Sequence, residues 1–457
     1  MRWRQHRLTI HCFSLCRVSP FHAFNRRSST LRLQPCVKVE SFRKQPGQQS
    51  LNAVHMPQPL KELTRTLGKK YPMSSISDEI AGFTNYLLKR KLPVEDTALQ
   101  VSAMKIEEEV RKQFVSEGCL EENSPSVREQ EKRIQNIVLK NLRNITYCWR
   151  PLNYQDALCR LYMAGRMDGI FAATMRVFGE IERRIPDFAP HSVMDFGSGT
   201  GSSIWAAWQT WGENLHNYHA VDLSASMNSL AKLLIKGGEE IKRPLIRGVH
   251  FHTVLPPKVH CDVVVATYTL SELPGMKERV EAVCSLWKKT KCFLVLIENG
   301  TRSGHDVILE ARDTLIKESR NGITENCDGY VFAPCPHEQQ CPLPQQTKPL
   351  PCSFVQKYHP FPFPWNEPIK VEKFSFLIFS RGQKAVDQDW PRIVQPVLCR
   401  ARHVHCHLCC ADGTFQHAII TRKKHGRDVY RTTRACTWGD RLPVKLLPQE
   451  ANAVEEE

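Results

Sequence analysis

The spacing of apolar residues changes along the chain and marks two kinds of structure. Between residues 55 and 184, apolar positions recur at helical intervals, most clearly in the segment 154–184. From residue 193 onward, short apolar runs alternate with amphipathic segments. This alternation predicts strands at 193–196, 219–223, 261–268 and 292–297, separated by helices at 203–211, 226–236 and 276–287. Strands that alternate with helices are typical of parallel β-α-β units, so we predict an α/β fold.

The remainder of the chain departs from this regular alternation. Residues 326–365 are crowded with Pro and Cys and show little periodicity, which indicates a long ordered insert. A further core strand is predicted at 373–379. Short alternating runs at 404–410, 415–421 and 429–432 predict a small β-rich module at the C-terminal end.

The distribution of charge along the chain predicts a cellular location and a class of binding partner. The 457 residues include 63 Lys and Arg against 47 Asp and Glu, a formal net charge of +16. Residues 1–39 contain eight basic residues, several Ser and no acid, as in a mitochondrial transit peptide; a disordered basic tail is the alternative. Residues 391–445 hold eleven basic residues and three acidic ones, which favours a nucleic-acid partner. No apolar run approaches the roughly 18 residues of a transmembrane helix.

A glycine-rich loop after the first predicted strand is the strongest single motif. Asp195, Gly197, Gly199 and Gly201 follow the pattern D-x-G-x-G-x-G and open a predicted helix. Glycines permit a tight turn and a close approach to a ligand, and the helix N-terminus supplies amide donors. Asp222, at the end of the next strand, is placed to accept hydrogen bonds from both hydroxyls of a ribose. The combination resembles the S-adenosylmethionine pocket of Rossmann-like class I methyltransferases; a glycine turn without a ligand and a pocket retained as a structural relic are the alternatives.

The segment that follows the fourth strand of such a fold usually contacts the methyl acceptor. Here it lacks both the Asn/Asp-Pro-Pro-aromatic motif of exocyclic-amine methyltransferases and the Pro-Cys or Thr-Cys nucleophile of base-carbon methyltransferases. Tyr268 and Glu272 are the catalytic candidates, and a structural role is the alternative for both. The sequence therefore leaves open whether the protein is an enzyme.

Eight of the 18 cysteines lie between Cys327 and Cys410. In a reducing mitochondrial matrix, clustered cysteines are more typical of metal sites than of disulfides. The spacing C-x5-C-x10-C differs from the paired C-x-x-C of zinc ribbons and favours an iron–sulfur cluster. Zinc, with His337, His403, His405 or His407 among its ligands, and the absence of any metal are the alternatives.

Together these features resemble the family of mitochondrial small-ribosomal-subunit assembly factors that have a methyltransferase fold. The resemblance spans about residues 154–443 and is carried by the glycine-rich loop and by segments 297–301, 335–342, 352–354 and 403–410. It implies a [4Fe–4S] cluster, whose ligands would be Cys335, Cys341, Cys352 and Cys409, with Cys406 as the alternative fourth ligand. It also implies binding to small-subunit ribosomal RNA in the mitochondrial matrix, beside other assembly factors.

The prediction as a whole is an α/β chain built on a Rossmann-like class I methyltransferase core. The segments are a transit peptide or disordered region (1–44), a helical N-terminal region (45–184), the core (185–325), a Cys-rich metal-binding insert (326–365), a last core strand and linker (366–390), a basic β-rich module (391–446) and a disordered tail (447–457). The leading functional hypothesis is an rRNA-binding assembly factor, required for mitochondrial translation, that holds S-adenosylmethionine and an iron–sulfur cluster. The alternatives are an active rRNA methyltransferase and an iron–sulfur sensor that controls production of the mitochondrial ribosome.

Overall fold

A computed structural model of the chain describes residues 32–36, 41–70, 77–90, 92, 96–116, 127–145, 151–238, 243–321, 328–384 and 389–447. Most of the predicted transit peptide and the predicted tail from residue 448 onward lie outside these ranges. Within the ranges, every helix is too short or too polar to span a membrane.

The core is a mixed sheet with parallel strands at its centre. Its five parallel strands are β3 (Ser192–Phe196), β4 (Asn217–Val221), β5 (Val249–His252), β6 (Cys261–Thr267) and β7 (Thr290–Asn299). They lie in the order β5-β4-β3-β6-β7. The chain first adds β4 and β5 on one side of β3 and then crosses back to add β6 and β7 on the other side, so the strand order reverses between β3 and β6. Helices α6 (Ser202–Trp211), α7 (Ala225–Lys236), α8 (Met276–Lys289) and α9 (Arg302–Asn321) follow four of these strands. The predicted α/β core is confirmed, and β5 and α9 are additions to it.

An antiparallel strand, β10 (Lys370–Arg381), extends the sheet beyond β7. Two short strands, β8 (Gly329–Ala333) and β9 (Phe354–His359), pair with different parts of β10. β8 lies opposite residues 378–381 and β9 opposite residues 370–374, so the two occupy one strand position. The segment between them, residues 334–353, leaves the sheet from the middle of this interrupted strand and is called the Cys insert below. The prediction of an irregular segment at 326–365 was therefore wrong near both ends of that range, because β8 and β9 form backbone hydrogen bonds with β10.

Helix α5 (Asp156–Arg184) is the main helix of the core. Its buried residues occupy all of its faces from Met163 to Ile181, the pattern of a helix enclosed by protein. α5 packs against α6 on one side and against β9 and β10 on another. It was predicted as part of a helical N-terminal region at 45–184, which could be a domain of its own or a cap on the core, and its apolar surface covers the sheet.

In the described ranges before α5, the chain also forms the α-helices α1 (Gln58–Lys70), α2 (Ser77–Lys89), α3 (Asp96–Ser116) and α4 (Val127–Ile145). Leu60 of α1 and Ile80 of α2 belong to the same apolar core as α5. α3 and α4 pack on each other through a small cluster that contains Ile106, Val110 and Ile134.

Residues 389–447 form a second unit, called the C-terminal module. Its sheet contains β11 (Arg392–Ile393), β12 (Leu398–Cys399), β13 (His403–Cys409) and β14 (Phe415–Thr421). Helix α10 (Arg422–Ala435) covers one face of this sheet. The predicted strand at 429–432 was wrong: Val429, Thr432 and Thr433 are buried at helical spacing against the sheet.

The start of the described chain completes the C-terminal module. β1 (Arg32–Pro35) pairs with β15 (Val444–Leu447), and Leu33 is buried in the apolar core of the module. Residues 32–35 therefore form structure inside the segment that was predicted to be a transit peptide or disordered up to residue 44. The reason is that β15 offers these residues a backbone partner that the sequence pattern does not reveal.

Residues 41–56, called the strap, join the module to the core. Asp440 accepts a hydrogen bond from the backbone N–H of Gln49 at 2.7 Å, and Gly47 accepts one from the N–H of Arg441 at 2.8 Å. The strap then forms β2 (Val54–His55), which pairs in parallel with β9 of the main sheet. The strap thus runs from the module to the edge of the core sheet.

A buried cluster of charges joins α5 to the module directly. Glu180 on α5 is fully buried and forms ion pairs with Arg176, Arg184 and Arg392. Burial alone would raise the pKa of Glu180, but the guanidinium groups of Arg392 and Arg176 outweigh it and lower the pKa to about 2.

We predict that Glu180→Gln lowers the free energy of unfolding at pH 7 by about 3–5 kcal/mol, because it leaves buried guanidinium groups without a counter-charge. A carboxylate whose pKa is lowered in the folded state stabilises the protein above its unfolded pKa and loses that effect as the pH falls through the folded pKa. The difference in free energy of unfolding between the unaltered protein and Glu180→Gln should therefore shrink from about pH 4.5 towards pH 2. Denaturant unfolding across this range measures it. Glu182→Gln, at an exposed position two residues away, is the control, and equal losses in both variants would contradict the prediction.

Candidate functional site

The glycine-rich loop lies at the carboxyl end of β3, beside the point where the strand order reverses. Gly197, Gly199 and Gly201 all have positive φ angles, of 71°, 51° and 81°. A Cβ atom on Gly197 would lie 2.3 Å from the hydroxyl of Thr269, so the loop can take this path only with glycine there. Ligands of open α/β sheets bind at this position, outside the carboxyl ends of the strands.

Asp222, directly after β4, contacts the glycine-rich loop. Its carboxylate accepts hydrogen bonds of 2.8 Å from the backbone N–H groups of Gly199 and Ser224. The structure thus brings together the loop and the acid that the sequence analysis paired. These two bonds leave acceptor capacity on the carboxylate for a ligand hydroxyl.

Asp195, the first residue of the motif, is buried beneath the loop. Within the part of the chain that the structure describes, neither of its carboxylate oxygens has a partner at hydrogen-bond geometry, and the nearby hydroxyl of Ser203 only partly favours the charged form. Burial, together with the nearby charge of Asp222, raises the pKa of Asp195 to about 8. An acceptor buried without a partner is costly, so this position favours a donor from a bound ligand.

Two tyrosines that the sequence analysis missed lie over the loop. The edge of the Tyr162 ring is 3.7 Å from the position of a Cβ on Gly199, and the Tyr154 ring meets Tyr162 edge to face, with 5.7 Å between the ring centroids. The backbone carbonyl of Tyr154 accepts a hydrogen bond from Ser224. No motif marks these residues, because their position depends on where α5 packs.

The hydroxyl of Tyr268 is hydrogen-bonded within the protein rather than directed at a methyl acceptor. Its hydroxyl donates to Glu372 at 2.8 Å, and Glu372 forms a 3.0 Å ion pair with Arg166. The guanidinium carbon of Arg166 lies 4.9 Å from the centroid of the Tyr268 ring. Tyr268 also has a positive φ of 56°, a conformation that costs energy for a tyrosine. Arg166 and Glu372 had no sequence signal, since they lie more than 200 residues apart.

Glu272 is likewise paired. It forms a 2.5 Å ion pair with Arg90, the residue after α2, and its other oxygen lies 3.5 Å from the hydroxyl of Tyr154. A cavity at this place is lined by Arg90, Glu272, Tyr268, Arg166 and Asn299 together with residues of α2. The side chains on the acceptor side of the pocket therefore have partners within the protein.

The four cysteines implied by the family resemblance converge from two segments. Cys335, Cys341 and Cys352 lie in the Cys insert, and Cys409 ends β13. Burial raises the pKa of Cys352 and of Cys409 well above the ordinary value for a thiol, and the neighbouring thiols of the group raise it further. His337 Nε2 lies 3.3 Å from the sulfur of Cys409.

Cys406, the alternative fourth ligand, lies elsewhere. It is three residues before Cys409, so the alternation of β13 turns it to the opposite face, into the apolar core under α10. Across the described ranges, no group of three or more His, Cys, Asp or Glu side chains is arranged to hold a metal ion. The iron–sulfur and zinc ligands remain predictions.

Two buried arginines hold the backbone of the Cys insert. Arg312 of α9 donates to the carbonyls of His337 and Gln339 at 3.0 and 2.8 Å. Arg392 donates to the carbonyl of Pro334 at 3.0 Å. The charges of both arginines act to lower the pKa of Cys352, against the effect of burial.

The strand order, the reversal at β3, the antiparallel β10 and the glycine-rich loop with Asp222 define the Rossmann-like class I methyltransferase fold. Residues 157–443 match the family model described as mitochondrial small ribosomal subunit Rsm22. The chain is 47% identical over 404 residues to the human ribosome assembly protein METTL17, mitochondrial, a match that covers 88% of this chain and 86% of that protein. The chain belongs to the Rsm22 family.

More distant matches are shorter or weaker. The chain is 28% identical over 219 residues to Rsm22-cox11 tandem protein 2, mitochondrial, of Schizosaccharomyces pombe, which covers 40% of this chain and 29% of that protein. Among solved structures, magnesium protoporphyrin IX methyltransferase from Synechocystis with bound SAH aligns with a TM-score of 0.31 and 14% identity, over 61% of this chain and 100% of that one. A putative RNA methyltransferase from Pyrococcus horikoshii aligns with a TM-score of 0.28 and 12% identity, over 46% and 88%.

We predict that Asp195→Asn stabilises the ligand-free protein at pH 8, by about 1–3 kcal/mol, because an amide avoids the cost of a buried charge without a partner. A carboxyl group whose pKa is raised in the folded state contributes fully to the free energy of unfolding below its unfolded pKa. That contribution is lost as the pH rises through the folded pKa, here from about 4 to about 8. The gain should accordingly be small near pH 4 and largest at pH 8. Thermal unfolding over this range measures it, with the exposed Asp187→Asn as control. A gain that does not change with pH would count against the prediction.

Proposed function

We propose that this chain assists assembly of the mitochondrial small ribosomal subunit and uses its methyltransferase fold as a binding scaffold. The observation that carries the proposal is the family match over residues 157–443, which contains both the glycine-rich loop and the Cys insert. The relative with 47% identity over most of both chains is named a mitochondrial ribosome assembly protein. The predicted mitochondrial location and the predicted link to the small ribosomal subunit are confirmed at the level of the family.

S-adenosylmethionine is the proposed ligand of the glycine-rich loop. Three observations support it: the three glycines with positive φ, the carboxylate of Asp222 beside Gly199, and the unpartnered carboxylate of Asp195. Asp195 would accept a hydrogen bond from a ligand donor, and Asp222 would accept from ribose hydroxyls. When bound, this cofactor supplies an electrophilic methyl group.

The acceptor side supports binding without methyl transfer. An acceptor base needs an open approach to the methyl group and an in-line geometry. Here Tyr268 is committed to Glu372, and Glu272 to Arg90 beside α2. An incoming base would have to displace these pairs, which is why we favour a scaffold over an active rRNA methyltransferase.

A [4Fe–4S] cluster is the proposed occupant of the cysteine group. The proposal is supported by the electrostatic effect of the four thiols on one another across two segments, and by the guanidinium charges of Arg312 and Arg392, which act on Cys352. Four thiolates are the usual ligands of such a cluster, and positive charge near them offsets the negative charge that thiolate ligation brings. A bound cluster would tie β13 of the C-terminal module to the Cys insert of the core.

We predict that Cys409→Ser loses most of its iron and acid-labile sulfide when purified without oxygen, because it removes the one ligand that comes from the module. Cys406→Ser is a matched control on the same strand and should keep both, since Cys406 faces the apolar core. Iron and sulfide are measured per chain, with zinc measured in parallel. Loss of iron in the Cys406 variant alone would make Cys406 the ligand, and one zinc per chain without sulfide would replace the cluster by a zinc site.

We also predict that Gly199→Val abolishes binding of S-adenosylmethionine in calorimetry, because valine is strongly disfavoured at a φ of 51° and its side chain would point towards Tyr162. Gly82→Ala on α2, where no atom lies within 4 Å of the added Cβ, is the control. In cells that lack the protein, gradient sedimentation of mitochondrial ribosomes tests both variants. Failure of the unaltered chain to restore small subunits would refute the assembly role. Full restoration by Gly199→Val would refute only the cofactor's part in it.

A further inference from the structure

The C-terminal module exposes one face of its sheet. Along β13, alternate residues point into the apolar core beneath α10 or away from it. The residues that point away are His403, His405 and His407. Their directly paired residues on β14 are Thr421, Ile419 and His417, respectively. Ile419 is 43% exposed, so this part of the face is open to solvent.

Five rings form a continuous series on this face, called the ring ladder below. Phe415, His407 and His417 are stacked one after another, with centroid distances of 5.8 and 4.5 Å and interplanar angles of 13° or less. His405 continues the series 5.2 Å from His417 at an angle of 20°, and a 3.0 Å hydrogen bond joins Nδ1 of His405 and Nε2 of His417. His403 closes the series edge-on, 4.9 Å from His405. The ladder therefore presents a row of flat rings along two paired strands.

Burial lowers the pKa of His405 and of His417, and the neighbouring imidazoles of His417 and His403 lower that of His405 further. These two rings therefore offer ring surfaces rather than positive charge. They are also placed differently from the histidines of a metal site, because no group of three donors is so arranged in the described ranges.

Positive charge is concentrated at the His403 end of the ladder. Arg400 and Arg402 lie in the turn before β13, and Arg422, Lys423 and Lys424 follow β14; all five are exposed. The register places Thr421, the residue before Arg422, opposite His403. At the other end, Gly413 lies against Gln339 of the Cys insert, so the insert closes the ladder there.

From this arrangement we infer that the ring ladder binds single-stranded RNA, with unpaired bases stacked on the rings and phosphates held by the basic side chains at the His403 end. This inference rests on the proposed function and names the surface through which the protein contacts ribosomal RNA. Stacked rings on an open sheet beside positive charge are the combination that suits unpaired nucleotides, whereas a duplex keeps its base faces stacked inside.

The test uses the full chain, purified without oxygen, and a labelled, unstructured RNA of about twelve nucleotides. The double variant His405→Ala/His417→Ala should bind it about tenfold more weakly, the scale of one lost base stack. Its dependence on salt should stay the same, because no charge is removed. His405→Phe/His417→Phe should restore the affinity. His219→Ala/His250→Ala removes a stacked pair on β4 and β5 of the core and should change nothing.

A separate variant, Lys423→Ala/Lys424→Ala, tests the charge and should flatten the salt dependence. The inference about the ladder is overturned if the alanine pair on the ladder keeps normal affinity while the lysine pair loses it; RNA binding by the module would then stand. It is also overturned if the phenylalanine pair binds as poorly as the alanine pair, because the imidazole nitrogens would then matter rather than the rings. If the unaltered chain binds no RNA, the inference is overturned, whereas the assembly role is decided separately by the sedimentation of mitochondrial ribosomes. Thermal unfolding of each variant verifies that it is folded.

Discussion

The rest of the structure depends on the buried carboxylate of Glu180. A carboxylate without water is tolerated only with close counter-charges, and here they come from α5 itself and from Arg392 of the C-terminal module. Docking of the module therefore adds a counter-charge to Glu180 and gives Arg392 its carboxylate partner. Arg392 also holds Pro334, where the Cys insert begins. One ion pair thus connects the core, the insert and the module.

Helix α5 connects this ion cluster to the pocket. Tyr162 near its start lies over the glycine-rich loop, Arg166 one turn later pairs with Glu372, and Glu180 faces the module. Glu180 lies eighteen positions after Tyr162, a distance of about 27 Å at the rise of an α-helix. The helix is buried on all sides, so the pocket and the module are held by one stiff element.

Local patterns in the sequence predicted much of the core and little of what joins it to the rest. Alternating apolar runs located β3, β4, β6, β7 and β10, because strand burial has a short period. The interruption that separates β8 from β9 was missed, since it depends on both segments finding β10. The partner of Tyr268 was missed for the same reason, as Glu372 lies 104 residues away. By contrast, a signal that separates Cys406 from Cys409 was present: an odd spacing on one strand places two residues on opposite faces.

The pairing of β1 with β15 has a consequence for the order of events during folding. Arg32 lies opposite Leu447, so the contact closes a loop of more than four hundred residues. Contacts between such distant segments form late and slowly. Among the described residues, the core sheet uses no strand beyond β10, but the module needs β15. Until residues 444–447 are in place, the edge of β1 has no strand to pair with. Completion of the basic module therefore comes after the strands of the core sheet are available.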